Sequence, residues 1–345
     1  MLATSIFVFL SLSSTGLGWE WGKSGKWSNK QRTTCHGGES TINYTSIAGF
    51  FQQDDSSTVA KTFDYTTSNY GLINRTYPTD DEFDPANKKT QWERFAYYVN
   101  TLNRDCDKNT QYKVLFMARH GEGYHNAAES YYGTPAWNCY WGPLEGNGTV
   151  TWRDARLTDA GIAQCTKANA FWKNALAVEK IPAPQSLDLP ADRPFMPTIK
   201  EYFREGISMR TCDERSNKTY IHSLLPGFKF EEGFTEDDEL WKGYEGETSD
   251  AQLKRTRAVL DDIFSNDDNT WISITSHSGQ ISTNLKVLNH IAFSLSTGQA
   301  IPALIKAQNL RKVESATTTV QSWTAEATCN APPVTTAATA TTTAV

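Results

Sequence analysis

The stretch VLFMARHGEGYHN, residues 114–126, changes character in its middle. Five apolar residues are followed directly by Arg119, His120 and Gly121. A short apolar run that ends near glycine is typical of a buried strand in a parallel sheet. Ligands of open α/β sheets bind beyond the carboxyl ends of such strands. Arg119 and His120 therefore lie either in a binding site or simply where the strand emerges into solvent.

A second apolar segment ends in the same way. Residues 271–276 are predicted to form a strand, and His277 follows it directly. A helix is predicted next, over residues 280–291. Because parallel strands end at the same edge of a sheet, we expect His120 and His277 to lie close together.

These residue types indicate phosphoryl transfer. A neutral imidazole is a nucleophile that divides one difficult displacement into two easier ones, so His120 could accept a phosphoryl group. The negative charge of that group is spread over its oxygens and requires fixed positive donors around it. Arg119 can supply a two-pronged clamp and His277 a second donor. The helix after His277 would direct its amino end at the same anion.

The remaining periodic segments predict an α/β fold with a mostly parallel sheet. A strand is expected over residues 113–118 and helices over residues 91–102, 158–176 and 249–264. The second helix is predicted to begin with Thr158 as its cap and to bury Ile162, and the third to begin with a capping box of Ser249 and Gln252. Strands that alternate with helices favour a parallel arrangement.

Composition limits the class of protein. The chain has 345 residues, of which 39% are hydrophobic, and a formal net charge of −6. This length suits one large α/β domain or two smaller ones. The negative charge argues against nucleic acid and anionic membranes as partners, although a local basic pocket for an anion is compatible with it.

The amino terminus predicts secretion. Residues 1–18 contain a short apolar stretch that ends in small residues, as in a signal peptide, although no Lys or Arg precedes it. A membrane anchor is the alternative, but a span requires about 20 apolar residues, and no other segment qualifies. Four glycosylation acceptors and six cysteines agree with an extracellular or cell-wall location. The acceptors are Asn43, Asn74, Asn147 and Asn217, and the cysteines are Cys35, Cys106, Cys139, Cys165, Cys212 and Cys329.

Two further boundaries are predicted from composition. Residues 313–345 become rich in Thr and Ala, which indicates a disordered tail that lacks the apolar end of a GPI signal. Residues 19–312 are expected to form a single domain, in which residues 19–105 are an extension packed on the core.

The motif RHGEGYHN, residues 119–126, resembles the RHGxxxHN signature of the histidine phosphatase superfamily, the phosphoglycerate mutase-like proteins. Further pieces occur in the order of that family, and the chain resembles a fungal secreted branch over residues 91–312. The pieces are DARLTDAG (154–161), REG (204–206), TCDERS (211–216), DELW (238–241) and ITSHSG (274–279). The resemblance implies a three-layer α/β/α fold.

The resemblance also implies roles for individual residues. His120 would be the nucleophile that becomes phosphorylated, and Arg119 and His277 would hold the phosphoryl oxygens. Glu205 would be the proton donor to the leaving group, and Asn126 would bind substrate at the pocket rim. Glu122 is a rival acid because it is close to the nucleophile in sequence, but the family pattern favours Glu205.

One element of the family pattern is missing. Members carry a further strand and a Ser-Pro-Leu-x-Arg segment whose arginine is a second clamp on the phosphoryl group, and residues 181–195 contain neither. The strand and the arginine segment would be expected near the junction of Ser186 with Leu187. Their absence from the sequence there indicates either a lost coding piece or a variant that lacks one strand. Arg193 is a candidate replacement for the arginine.

The function predicted is hydrolysis of a small phosphomonoester by a secreted enzyme, without metal or cofactor. The alternatives are a phosphomutase and a non-catalytic secreted glycoprotein of the same fold. Three other site types have little support. A metal site at His120, Glu122 and His125 lacks the usual spacing, Ser278 lacks a nucleophile elbow, and residues 121–123 lack the third glycine of a dinucleotide loop. Oligomeric state is not readable from the sequence.

Overall fold

The computed structural model describes residues 40–182, 197–311 and 321–333. The predicted signal peptide, Arg193 and the junction of Ser186 with Leu187 lie outside these ranges. Within them, no helix combines the length and the apolar character that a membrane crossing would need.

Eight strands and eight α-helices are found in the described residues. The strands are β1 (Ser40–Ser46), β2 (Thr110–Arg119), β3 (Thr198–Ile199), β4 (Lys229–Phe230), β5 (Glu245–Glu247), β6 (Trp271–Ser276), β7 (Ala300–Arg311) and β8 (Trp323–Ala325). The helices are α1 (Asp80–Phe83), α2 (Gln91–Asp105), α3 (Tyr124–Tyr132), α4 (Thr134–Ala136), α5 (Asp159–Asn174), α6 (Lys218–Leu224), α7 (Ser249–Asn266) and α8 (Ser278–Val287). Irregular helical turns occur over Trp137–Trp141, Ala175–Glu179 and Thr211–Asp213, among others.

The main sheet has the order β1-β7-β2-β6. The predicted parallel pair is present, since β2 runs parallel to β6, but β7 is antiparallel to both β2 and β1. The sheet is mixed, with β1, β2 and β6 running in one direction and β7 in the other. The reason lies in residues 288–299, which return the chain to the carboxyl edge of β2 before β7 begins, so that Ala300 pairs with Ala118.

Helices cover both faces of this sheet, and the predicted three-layer α/β/α fold is confirmed. Successive strand residues point to opposite faces. Leu115 and Met117 of β2 share a buried cluster with residues of α7 and α8. Phe116 packs on the other face with Trp92 of α2 and Trp172 of α5. Because both faces of β2 are covered, the strand reads as a continuous apolar run.

The structure confirms one predicted helix start and moves the cap of the other by one residue. Thr158 caps α5 as expected, since its side chain accepts a hydrogen bond from the amide of Gly161. Ile162 was expected to be buried, but it is 53% exposed on the outer face of α5. The cap of α7 is Thr248 rather than Ser249, because the Thr248 hydroxyl accepts from the amide of Ala251.

The carboxyl-terminal boundary is also different. Residues 321–333 lie in the predicted tail, yet they contain β8, which pairs with β5. Cys329 forms a disulfide with Cys139, a pairing that the sequence left open. Composition obscures this segment because it is short and bounded by Thr- and Ala-rich sequence.

A buried ion network supports the segment that carries Glu205. The Arg204 guanidinium forms two hydrogen bonds to the carboxylate of Asp238, at 2.8 and 2.6 Å, and both side chains are about 5% exposed or less. Arg215 joins Glu201 at 2.7 Å. Although burial alone would raise the pKa of Asp238, hydrogen bonds from Arg204 and nearby amides lower it to about 2.

We expect Asp238→Ala to destabilise the protein by about 3–5 kcal/mol, because it leaves the buried charge of Arg204 without its main partner. Chemical denaturation at neutral pH would measure this change. Asp237→Ala removes an exposed neighbouring carboxylate and should change the unfolding free energy by less than about 0.5 kcal/mol. Equal effects of the two substitutions would contradict the structural role of the Arg204 pair.

Candidate functional site

The parallel pairing of β2 with β6 brings the two predicted histidines together. Arg119 is in register with Ser276, so His120 and His277 leave the sheet side by side. The amide of His120 donates to the carbonyl of Ser276 at 3.0 Å. The two imidazole rings have a centroid separation of 4.7 Å.

The surroundings of His120 favour a neutral imidazole with one free ring nitrogen. Its Nδ1 lies 2.7 Å from the carbonyl oxygen of Gly121. Because a carbonyl can only accept, this contact places the proton on Nδ1 and leaves the lone pair on Nε2. His120 is 2% exposed. Burial, and then the charge of Arg119, lower its pKa to about 4.

In the guanidinium of Arg119, Nη1 is hydrogen-bonded and Nε is not. Its Nη1 donates to the carbonyl of Leu295 at 2.9 Å, which fixes the guanidinium in place. Its Nε is buried and has no partner within the described residues. An unsatisfied buried donor costs free energy, so an anion that accepted from Nε would bind favourably.

The side-chain carboxylate of Glu205 lies at the amino end of α8. Its carboxylate accepts from the amide of Gly206 and from the amide of Gly279, each at 3.0 Å. The amino end of α8 was expected to face the phosphoryl group directly, but here Glu205 occupies part of it. Burial raises the pKa of Glu205, and the nearby carboxylate of Asp213 also raises it, whereas the two amides lower it. A carboxyl group with a raised pKa suits a proton donor.

The backbone of Glu205 is positioned by a residue that the sequence did not single out. Arg255 of α7 donates to the carbonyl of Glu205 at 3.1 Å and to the carbonyl of Tyr202 at 2.7 Å. A salt bridge of 2.7 Å to Glu247 holds the guanidinium of Arg255 itself. Both of these charged side chains are 6% exposed.

The five residues that were predicted to react with or bind the substrate all line one cavity of about 270 Å³. They are Arg119, His120, Asn126, Glu205 and His277. The side-chain oxygen of Asn126 accepts from the amide of Gly123 at 3.0 Å, so Asn126 also fixes the start of α3. Glu122 is not among the lining residues, and its carboxylate accepts from the hydroxyl of Thr158 at 2.7 Å. This placement removes Glu122 as a rival acid.

His125 also lines the cavity, although no role was predicted for it. Its ring centroid lies 5.2 Å from that of His120. Its Nδ1 is buried without a hydrogen-bond partner in the described residues. Burial lowers its pKa far below the usual value, and His120 adds to the effect. The motif itself contains this histidine, so its position could have been read as part of the site.

Arg210 is a further residue that sequence reasoning missed. It is a lining residue on the irregular segment that follows Glu205, and its Nη1 donates to the side-chain oxygen of Asn138 at 3.1 Å. Its Nε is 3.8 Å from the carboxylate of Asp213. Arg210 directly precedes the TCDERS segment, residues 211–216, so this neighbouring segment was the available signal, and the fold shows that Arg210 is a second arginine lining the cavity.

Comparison with known proteins identifies relatives of this chain. The chain is 42% identical over 284 residues to a protein of Arthroderma benhamiae named "Probable phosphoglycerate mutase", covering 77% of this chain and 84% of that one. It is 35% identical over 250 residues to "Phosphomutase-like protein 3" of Candida albicans, covering 67% and 77%. A Saccharomyces cerevisiae protein named "Probable phosphoglycerate mutase PMU1" is 31% identical over 236 residues, covering 58% and 80%.

The chain belongs to the phosphoglycerate mutase-like histidine phosphatase superfamily. The resemblance of its motifs to that family is thereby confirmed. No model of a protein family matches the chain. Among solved structures, a proposed α-ribazole-5′-P phosphatase of Escherichia coli matches 59% of this chain and 98% of its own at 14% identity and a TM-score of 0.27, which is too low to support an argument.

We expect Gly279→Ala to lower kcat by about 10²-fold while leaving the fold intact. A Cβ at this position would lie 2.4 Å from Oε1 of Glu205 and would therefore displace the carboxyl group. A displacement of about 1 Å can cost this much in rate. Steady-state kinetics and circular dichroism would measure the two effects.

Gly227→Ala is the matched control, because a Cβ there meets nothing within 4 Å and it too lies outside the positive-φ region. It should change neither kcat nor the spectrum. If Gly279→Ala had the kcat of the wild type, the position of the Glu205 carboxyl group would not matter for the reaction.

Proposed function

We propose that this protein hydrolyses small phosphomonoesters through a phosphohistidine on His120. The observation that carries the proposal is the free Nε2 lone pair of His120 in a cavity that it shares with Arg119, His277 and Glu205. No metal or cofactor has a part in this proposal.

The chemistry follows from the groups around the cavity. Nε2 of His120 attacks phosphorus as the ester oxygen leaves, and the protonated carboxyl group of Glu205 donates its proton to that oxygen. Arg119 and His277 stabilise the charge on the phosphoryl oxygens. Glu205 then accepts a proton from water, which attacks phosphorus and releases inorganic phosphate. Both His120 and Glu205 return to their starting states.

A phosphomutase is the second candidate, and the names of the relatives favour it. The two reactions share the phosphohistidine and differ in the next acceptor. A mutase retains the dephosphorylated substrate and returns the phosphoryl group to it, whereas a hydrolase admits water. Release of inorganic phosphate at the same rate as release of the alcohol would favour hydrolysis.

We also propose that the protein is secreted and N-glycosylated. The leader-like residues 1–18 support this proposal, as does the disulfide between Cys139 and Cys329. All four acceptor asparagines, Asn43, Asn74, Asn147 and Asn217, are exposed and therefore accessible to a glycosyl donor. Peptide mapping before and after enzymatic deglycosylation of the secreted protein would test each acceptor.

His120→Ala should lower phosphomonoesterase activity by at least about 10³-fold, because the nucleophile is lost. It should also abolish an alkali-stable, acid-labile phosphoenzyme in rapid-quench experiments with ³²P-labelled substrate. His222→Ala, which changes an exposed histidine on α6, is the matched control and should retain both properties. A folded wild-type protein that neither hydrolyses esters nor becomes labelled would instead favour the non-catalytic glycoprotein.

The pH dependence of kcat/KM should show an acidic optimum. The rate rises with pH through about 4, because His120 must lose its proton to attack phosphorus. The rate falls again at higher pH, because Glu205 must keep its proton and its pKa is raised above the usual value. Glu205→Gln should remove the second limb and slow esters with poor leaving groups most. A profile that rises monotonically to pH 9 would contradict the assignment of Glu205.

A further inference from the structure

Residues 288–299 connect α8 to β7 without regular secondary structure, and we call them the return loop. The loop is hydrogen-bonded to two residues of the cavity. The carbonyl of Leu295 accepts from Nη1 of Arg119 at 2.9 Å, and the amide of Gly298 donates to the carbonyl of His120 at 2.9 Å. The direction of the Arg119 guanidinium therefore depends on where the return loop places the carbonyl of Leu295.

The carboxyl end of the return loop is attached to an earlier part of the chain, residues 44–65. The carbonyl of Gly298 accepts from the hydroxyl of Tyr65 at 3.3 Å, and the side chain of Gln299 donates to the carbonyl of Phe63 at 2.9 Å. Strand β7 begins directly afterwards and pairs with β2. This end is thus held by strand pairing as well as by side chains.

The amino end of the return loop is attached to the same part of the chain by other side chains. The side-chain amide of Asn289 donates to the carbonyl of Tyr44 at 2.7 Å. Nε2 of His290 lies 3.1 Å from Oδ1 of Asp54. Leu295 lies between these contacts and the carboxyl end, so the position of its carbonyl depends on both attachments.

The contact of Asp54 with His290 is buried and fixed on both sides. Each side chain is 2% exposed. The second carboxylate oxygen of Asp54 accepts from the amides of Phe50 and Phe51 at 3.0 and 2.9 Å. Nδ1 of His290 lies 2.7 Å from the carbonyl oxygen of Ile291. Because a carbonyl and a carboxylate both accept, the two ring nitrogens both donate, as they do in a protonated imidazole.

The apolar contacts of the return loop do not supply the same constraint. Phe293 and Leu295 are buried in the cluster between the sheet and helices α7 and α8. Burial of apolar side chains is non-directional, so it keeps the loop against the core without fixing the direction of a carbonyl. A buried, hydrogen-bonded charge pair is directional, and breaking it by removing one partner is costly.

We propose that Asp54 and His290 are positioning residues for the candidate reaction. Their contact fixes the amino end of the return loop, and the carbonyl of Leu295 then holds Arg119 in the direction of the phosphoryl group. Neither Asp54 nor His290 lines the cavity. The inference rests on the proposed function, because it requires Arg119 to bind the phosphoryl group.

Two substitutions of His290 separate its two contacts. In His290→Asn the amide nitrogen occupies the δ position, so it can donate to the carbonyl of Ile291 but cannot reach Asp54. In His290→Gln the nitrogen occupies the ε position and retains the contact with Asp54. His290→Asn should raise the Kd of inorganic phosphate, measured by calorimetry, by about fivefold and lower kcat/KM by a similar factor, whereas His290→Gln should stay within about twofold of the wild type.

Asp80→Ala is the matched control. The carboxylate of Asp80 also accepts from a backbone amide and from a cationic side chain, those of Tyr77 at 2.9 Å and Arg94 at 2.8 Å. These hydrogen bonds do not involve the return loop. Asp80→Ala should therefore lower the free energy of unfolding and leave the Kd of phosphate unchanged.

The path through Arg119 is tested in the Arg119→Met background. Adding His290→Asn there should change kcat/KM by less than about twofold, because the residue through which His290 acts is already lost. If His290→Asn does not fold, Asp54→Ser replaces it. Asp54→Ser keeps an acceptor for the nearby amides, removes the oxygen that faces His290, and should raise the Kd of phosphate in the same way.

Two results would overturn the inference. One is a folded His290→Asn protein with the phosphate Kd and the kcat/KM of the wild type. The other is an undiminished effect of His290→Asn in the Arg119→Met background, since the contact would then act by another route.

Amide exchange decides the positioning role separately from the proposed function, which fails if the wild type neither hydrolyses esters nor binds phosphate. The amide of Ser296, next to Leu295, donates to Oε1 of Gln299 at 2.9 Å. Faster exchange of this amide in His290→Asn than in His290→Gln, with unchanged exchange of the Gly298 amide, would support positioning. Equal exchange of the Ser296 amide in the two variants would overturn it.

Discussion

The site depends on the register between two parallel strands. The hydrogen bond from the amide of His120 to the carbonyl of Ser276 fixes where both strands end, and this places two imidazoles 4.7 Å apart. A shift of one residue would turn one of them to the opposite face, because side chains alternate along a strand. Helices packed on both faces hold the register by burying alternate residues of β2.

Sequence reasoning succeeded where the chemistry is local. The ends of β2 and β6, the cap at Thr158 and the meeting of His120 with His277 all follow from short segments whose period and termini are readable. The same reasoning missed β1 and β7, since their pairing joins residues near 42 and 309. Arg255 was missed for the same reason, because its importance arises from contacts across the fold, whereas Arg210 directly precedes the TCDERS segment and could have been considered with it.

The arginines that line the cavity differ from the arginines that support it. Arg204 and Arg255 each have their charge matched by a buried carboxylate and their remaining donors directed at backbone carbonyls. They hold the Glu205 segment in place. Arg119 and Arg210 line the cavity, and Nε of Arg119 is buried without a hydrogen-bond partner in the described residues. Arg210 enters the cavity from the segment that follows Glu205.

The electrostatics of the empty cavity favour an anion over a proton. Burial lowers the pKa of His120, His125 and His277, and the rings oppose protonation of one another. A phosphoryl group brings negative charge next to these rings, and an opposite charge at short range raises the pKa of an imidazole. Binding of the substrate would therefore draw a proton onto His277 and convert it to a cationic donor. In the proposed reaction, His120 ceases to compete for this proton once its Nε2 lone pair has formed the bond to phosphorus. The burial that keeps His120 neutral before binding would thus also let the charge of the substrate promote protonation of His277.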